Sequence, residues 1–553
     1  MLVNTTSGRL YDKSEQAAAF ESMPAFTELI SSMTPHIDYA RIKQEVEEYY
    51  RYATFSHKWE DNEPLFEMVL KIVVYDLEES PTHQKLKMFC KIVREAGFNW
   101  AWSDTCCINK GDHFVLQEAL VSMFRWYQGS VMTIIFLRGV HRLSERGALT
   151  NSIWNKRAWT LQEYHASKVV RFYTEDWTPY LNLDIPNHKE SPEIISEMEE
   201  ATGISARALM ALHPGLDDVR EKLCLASRRE TTYVEDAAYS LLGWFSVSLP
   251  VVYGEGDKAL GRLLAQLLTS SGDMSILAWT GRSGSFNSCL PGNIAAFGQL
   301  PTSHIPPTVS DTATGPTFGG ARVSLPWVTV TKLYDRLNDL PVPSFAGQRM
   351  KLPCLAFKLG QVLASRNGSE RVFRAQTTAL GVVEIRTQED LPRMGSLCLI
   401  HPWIDFLLDR QPLGNMTETI PEESMDDHSS LIDESSVLPG PSNMTLTAPR
   451  TRAARLAARL RLLFGTRPNT STRDVGLLRP PSTVSPMEKQ MRVFHFITRL
   501  RQPFGALLLT PMRQHIEEYR RVASECLITV QVEELTPAIL EKLFNGVRVL
   551  DVR

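Results

Sequence analysis

Cysteine is scarce and scattered. The 553 residues hold eight, namely Cys90, Cys106, Cys107, Cys224, Cys289, Cys354, Cys398 and Cys526. No pair has the two-residue gap of a zinc knuckle, and adjacent Cys106-Cys107 is poor geometry for one metal site. No apolar run approaches the ~18 residues that a membrane span needs. The opening Met1-Leu2-Val3-Asn4-Thr5-Thr6 lacks the charged-then-apolar pattern of a signal peptide. These absences predict reduced cysteines in a cytoplasmic protein. Triplets such as Asn367-Gly368-Ser369 then carry no glycosylation role. Charge of one sign is lacking too: 59 Lys and Arg face 63 Asp and Glu, and a net charge of −4 argues against bulk nucleic-acid binding. There is no Walker-type loop, no Gly-x-Ser-x-Gly elbow and no cluster of metal ligands.

What is present is ordinary for a globular chain, with 43% hydrophobic and 22% charged residues. The length predicts two to four domains. Tyr52 to His57 reads as a buried strand, Trp100 to Cys107 as a second, Val131 to Leu137 as a third and Lys168 to Tyr173 as a fourth. Helical periods separate them, at Lys85 to Ala96, Leu116 to Gln128 and in the stretch Ile153 to Tyr164. Strands alternating with helices predict right-handed crossovers and a parallel sheet, with any ligand outside the strands' carboxyl ends. This α/β domain is expected over 1–185, with a helical extension over 186–290. Within that extension Ser227 to Gly243 reads as a helix with a glycine stop. Gly254-Glu255-Gly256 reads as a tight turn, since the third glycine and the Lys-Ser/Thr pair of a phosphate loop are missing. A β-rich region is expected over 291–410, clearest from Ala321 to Val383, and a low-complexity linker over 411–490. A closing α/β segment over 491–553 is expected to pack on the β-rich region. In the linker Ala453, Leu456, Leu460 and Leu463 recur beside arginines, a basic amphipathic pattern at 450–464 suited to weak membrane or partner contact.

The stretch Arg157-Ala158-Trp159-Thr160-Leu161-Gln162-Glu163 places Trp159 and Glu163 four apart, on one helix face. A carboxylate beside an indole is partly desolvated and suited to acid–base work. The alternative is a core tryptophan with Glu163 paired to Arg157 or a backbone amide. Ser56-His57 at the first strand's end and Asp104 near the second's converge with Glu163 on one cleft. Ser56-His57 with Asp104, or Cys106 or Cys107 with His57, would suit a nucleophilic hydrolase, but no oxyanion turn accompanies them. Glu163 beside an aromatic face suits cleavage through an oxocarbenium-like state.

Three ordered blocks resemble the fungal heterokaryon-incompatibility (HET) domain. They are Tyr52-Ala53-Thr54-Phe55-Ser56-His57-Lys58-Trp59, Trp102-Ser103-Asp104-Thr105-Cys106-Cys107-Ile108-Asn109-Lys110, and Arg157-Ala158-Trp159-Thr160-Leu161-Gln162-Glu163. Thr231 to Gly243 and Val252-Tyr253-Gly254-Glu255-Gly256 are similar to the segment that follows the domain, so the resemblance covers about residues 1–290. Asn109 and Ala158 depart from it, where aspartate and glycine are common. The resemblance implies a role in fungal non-self recognition, as a signalling and cell-death effector working by self-association or with another signalling protein. It also implies a distant relation to Toll/interleukin-receptor (TIR) domains, hence a TIR-like parallel sheet flanked by helices. Some TIR domains cleave NAD with a glutamate in a Trp-x-x-x-Glu context, which Trp159 and Glu163 match. On that alternative the chain is an NAD glycohydrolase with NAD as substrate and no resident cofactor or metal. Glu163 would be its catalytic carboxylate, with Ser56, His57, Trp59, Asp104, Cys106, Arg157 and Trp159 lining the pocket.

Overall fold

The computed structural model describes residues 1–32, 38–298, 327–367, 370–377, 382–387, 389, 391, 398–402, 489, 492–493, 496, 504–513, 516–530, 532 and 535–553. The basic amphipathic pattern at 450–464 lies outside them. The chain forms two units, Met1–Glu21 with Tyr39–Ile404 and Ser485–Arg553, and Ser22–Asp38 with Asp405–Val484. The described part of the second is chiefly a helix, Pro24–Ser32. All that follows belongs to the first unit, which is mixed α/β.

Its first sheet contains β1 (Leu2–Asn4), β2 (Leu10–Tyr11), β3 (Tyr52–His57), β4 (Trp100–Trp102), β5 (Met132–Leu137) and β6 (Val170–Thr174), in the order β2-β1-β4-β3-β5-β6. β3 pairs in parallel with β4 and β5, and β5 with β6. β1 joins β4 antiparallel and carries β2 at the edge. β3 and β5 are buried almost throughout, as central parallel strands covered on both faces must be. Their two threonines, Thr54 and Thr133, satisfy each other across the pair at 2.6 Å.

The crossovers are helices with legible ends. Pro81–Glu95 starts under an Ser80 cap with proline in its first turn. His113–Gly129 starts at Asp112, whose carboxylate accepts from the amides of Phe114 and Val115. The third crossover is the short turn Ile153–Lys156 followed by Ala158–Ala166. From β3 the chain first crosses to β4 on one side and then to β5 on the other. The strand order therefore reverses at β3, and the crevice that such a reversal opens lies at the ends of β3 and β5.

Three local expectations are corrected. The second strand stops at Trp102, because the chain turns at Ser103 and bonds the Cys107 amide to the Ser103 carbonyl at 2.8 Å. Ser227 to Gly243 is no continuous helix. One helix, Val219–Ser227, ends there, and Glu230 is drawn into a backbone bridge with Arg157 before a single turn at Asp236–Tyr239. The Glu230 amide and carbonyl bond Lys156 O and Ala158 N at 2.6 and 3.0 Å, contacts a helix would forbid. Ala321 to Val383 is also not wholly β, since Trp327–Asn338 is a helix burying Val330, Leu333 and Leu337 at helical spacing.

Among the described residues the second sheet has nine strands. They are β7 (Ser344–Ala346), β8 (Arg349–Asn367), β9 (Glu370–Thr377), β10 (Val382–Arg386), β11 (Cys398–Pro402), β12 (Phe504–Arg513), β13 (Ile516–Arg521), β14 (Ile528–Val530) and β15 (Val547–Val552). β8 pairs with β11 on one edge and β15 on the other, while β11–β12, β12–β13 and β13–β15 complete a closed ring of five strands. Closure removes the free edges of those strands. Arg521 ties this sheet to the residues before it, donating to Leu277 O at 2.9 Å and Trp279 O at 2.8 Å and lying over the Trp279 ring. Among the described residues no helix is long and apolar enough to cross a membrane.

Candidate functional site

At the carboxyl end of β3 the Ser56 side chain turns to Glu163. Ser56 Oγ donates to Glu163 Oε2 at 2.5 Å and accepts from Trp154 Nε1 at 2.7 Å. Tyr127, from helix His113–Gly129, bonds the Glu163 carboxyl and donates to Phe55 O at 2.9 Å. Glu163 is thus held by side chains from a strand and a helix, and is only 6% exposed. Burial, and next the negative charge of Asp104, push its carboxyl up to about 8, against the pull of Ser56, Arg157 and Tyr127. At neutral pH it carries a proton.

One residue on, His57 stacks on Phe55 with ring centroids 4.3 Å apart and is also buried. Its Nε2 stands 3.6 Å from Glu63 Oε1, and neither ring nitrogen has a hydrogen-bond partner within the protein. Burial, then the Lys85 ammonium, hold it below the ordinary histidine range, so it is neutral. Lys85 is buried on the inner face of its helix and pairs with Glu63 and, at 3.3 Å, with Glu60. Burial pushes Glu63 up, but His57 and then Lys85 outweigh it and leave the carboxyl low. Glu60 passes the chain of charges to Arg138 at 2.8 Å, just past β5, and Arg138 to Glu175 just past β6. A ladder of alternating charge therefore runs along the carboxyl ends of β3, β5 and β6.

Past the end of β4, Asp104 accepts from Trp59 Nε1 at 2.8 Å, and the Lys110 ammonium sits 3.4 Å from the centre of the Trp59 ring. Arg157 donates to His57 O at 3.1 Å and makes no direct bond to Glu163. Trp159 is half-buried and turns its indole toward Asp236, to which it is hydrogen-bonded. Cys106 is buried beside Cys107, with 4.0 Å between sulfurs, and its thiol is pushed up by that neighbour and by burial. Ser56 and Glu163 are thus brought together, Arg157 reaches only the His57 carbonyl, and the His57 ring, one residue on along the strand, faces the opposite side of the sheet with Phe55, Glu63 and Lys85. Trp59 and Asp104 form a second pair whose charge reaches Glu163, and Cys106 and Trp159 point elsewhere.

Sequence reasoning missed Glu60, Glu63, Lys85, Arg138 and Glu175, and assigned no role to Tyr127 or Trp154. Lys85 had a signal: it stands four and eight residues before Phe89 and Val93, on the apolar face of its helix. The glutamates lie in loops and had none. Gly254 and Gly256 do form a turn, with φ of +95° and +64°, and their amides bind the Glu235 carboxylate at 2.8 and 2.9 Å. An internal carboxylate occupies that anion-binding turn.

Two cavities open nearby, and neither has Glu163 in its lining. One of about 510 Å³ lies between the loops after β5 and β6, at His141, Arg142, Leu143, Asp176 and Asn182. The other, of about 380 Å³, is a groove along helix His113–Gly129, floored by Tyr52 and Trp102. Among the described residues no three His, Cys, Asp or Glu side chains are grouped to hold a metal ion.

Residues 52–148 match the family described as "Heterokaryon incompatibility protein (HET)", a span that runs from the start of β3 to beyond β5 and ends before Glu163. The vegetative incompatibility protein HET-E-1 of Podospora anserina is 31% identical over 243 residues, 41% of this chain and 17% of that relative. The chain therefore spans well under two thirds of the curated relative it matches. No solved structure matches it.

Proposed function

We propose that this chain, whose residues 52–148 match the HET family, acts in fungal heterokaryon incompatibility as a signalling module whose activation leads to cell death. The observation that carries the effector reading is the closed shell of Glu163. Its carboxyl is 6% exposed, protonated at neutral pH and bonded to Ser56 and Tyr127. A carboxyl so held ties β3 to helices Ala158–Ala166 and His113–Gly129, which suits an anchor of the fold. Self-association, or docking to another signalling protein in the cytoplasm, is then the means by which the module acts.

A second reading keeps Glu163 as the catalytic group of a TIR-like NAD glycohydrolase, in which water replaces nicotinamide on the ribose. Two observations favour it. The parallel order β4-β3-β5-β6 reverses at β3, where Ser56 and His57 stand, and His57 is buried there with both ring nitrogens unpartnered within the protein. On this reading Glu163 must first lose its proton to stabilise a cationic sugar, so activity would rise with pH through about 8.

One experiment separates the two. Nicotinamide release from NAD is measured with the full chain and with Glu163→Gln, alongside death of hyphae expressing each. Death that persists with Glu163→Gln, and no release from either protein, is the expected result. Release that vanishes in Glu163→Gln together with killing would overturn the effector reading in favour of the enzyme.

A further inference from the structure

Helix His113–Gly129 presents a face that nothing in the described structure covers. Phe114 is 88% exposed and Val115 39%. One turn on, Glu118 and then Ala119, Ser122 and Arg125 line the groove of about 380 Å³. Glu118 and Arg125 are both exposed, and among the described residues neither has an ion-pair partner. At 100° per residue, Phe114, Glu118, Val121, Ser122, Arg125 and Gly129 fall on one stripe.

The stripe is self-complementary when read backwards. Glu118 and Arg125 stand equally far from a point between Val121 and Ser122, and so do Phe114 and Gly129. An acid is therefore mirrored by a base, and the exposed Phe114 by a residue with no side chain. Gly129 is bare for a reason: a Cβ there would come within 2.9 Å of the Tyr52 hydroxyl. Tyr52 also floors the groove. Between the ends, small Ser122 and Ala119 permit close approach of a second helix. Two like helices crossing antiparallel about a two-fold axis bring mirrored positions into contact, which is the condition for an isologous interface.

We propose that a second copy of this chain docks on this face, its helix His113–Gly129 antiparallel to the first across a two-fold axis. Glu118 of each copy meets Arg125 of the other, and Phe114 of each seats on the bare backbone at Gly129 against Tyr52. Opposite charges about 10 Å apart along the helix fix the register, because sliding by about two turns sets like charge against like and a slide of one turn leaves both charges unpaired. An unrelated partner would need no such mirror order in this helix. The inference rests on the reading of the chain as a module that acts by association, and names the surface.

The test uses the full chain and reads mass by sedimentation equilibrium. Glu118→Arg alone carries two cations on the stripe and Arg125→Glu alone two anions. Each variant by itself should dimerise at least about tenfold more weakly than the native protein, because like charges then face each other. Mixing the two variants should restore a heterodimer of near-native affinity, since every cation again meets an anion. Phe114→Ser should weaken association without changing its charge preference. A native chain that stays monomeric to about 100 μM, a range in which specific dimers form, would overturn the proposal. So would single variants that dimerise as well as the native chain, or a mixture that fails to restore the dimer. Because the readout is mass, a dimer that kills no hyphae would retire the incompatibility reading and leave this interface standing.

Discussion

Replacing Glu163 by glutamine should alter the way stability depends on pH. In the native state the carboxyl holds its proton up to about 8, whereas its ordinary value is 4.5. Between those values the folded chain keeps a proton that the unfolded chain has released. The contribution is therefore complete below pH 4.5 and is lost as pH rises through 8. Within that window the slope is about 1.4 kcal/mol per pH unit. From pH 6 to 8, where the curve begins to flatten, the loss is about 2 kcal/mol, and from 8 to 9 it is well under about 1 kcal/mol. Glutamine keeps the shape of the protonated acid and cannot ionise. Urea unfolding of both proteins, followed by tryptophan fluorescence at pH 6, 7, 8 and 9, cancels every other titrating group in the difference. The native chain should lose about 2 kcal/mol relative to Glu163→Gln between pH 6 and 8. Profiles that stay parallel within about 0.5 kcal/mol would refute the claim that Glu163 is buried with its proton.

Asp104→Asn removes the largest charge acting on Glu163, so the same pH-dependent loss should move to lower pH in that variant, read by the same unfolding series. Ser56→Ala leaves Trp154 Nε1 without its acceptor and Glu163 with Tyr127 as its remaining hydrogen-bond partner, and should cost about 2–4 kcal/mol in urea unfolding at pH 6. Lys85→Met strips the buried Glu63 of its cation and should cost about 3–5 kcal/mol. Adding Glu63→Gln to it should recover part of that loss, a non-additivity that a double-mutant cycle measures.

Much of the first sheet was legible because its signals are local. The unbroken apolar run Ile134-Ile135-Phe136-Leu137 and the periodic Leu86, Phe89, Cys90 and Val93 each report their own burial within a few residues. Errors arose where distant contacts overrode that signal. Ser227 to Gly243 has helical composition, yet the bridge from Arg157 to Glu230 pulls its start into extended backbone. Closure of the five-stranded ring was hidden for a similar reason: β11 and β12 are neighbours in the sheet but about a hundred residues apart in the chain.

The sequence by itself determined which residues could do chemistry and which ends of which strands they would occupy. Strand period and crossover length, both short-range, set Ser56, His57 and Glu163 near one edge. Only the tertiary structure decided what each became. It gave Trp159 to Asp236 and put Trp154 and Tyr127 around the Ser56–Glu163 pair. It also buried Lys85, Glu63 and His57 as a group and left the mirror-ordered stripe of helix His113–Gly129 uncovered. A carboxyl's charge state and a face's exposure depend on every neighbour packed around them. Those neighbours come from segments that no spacing rule connects.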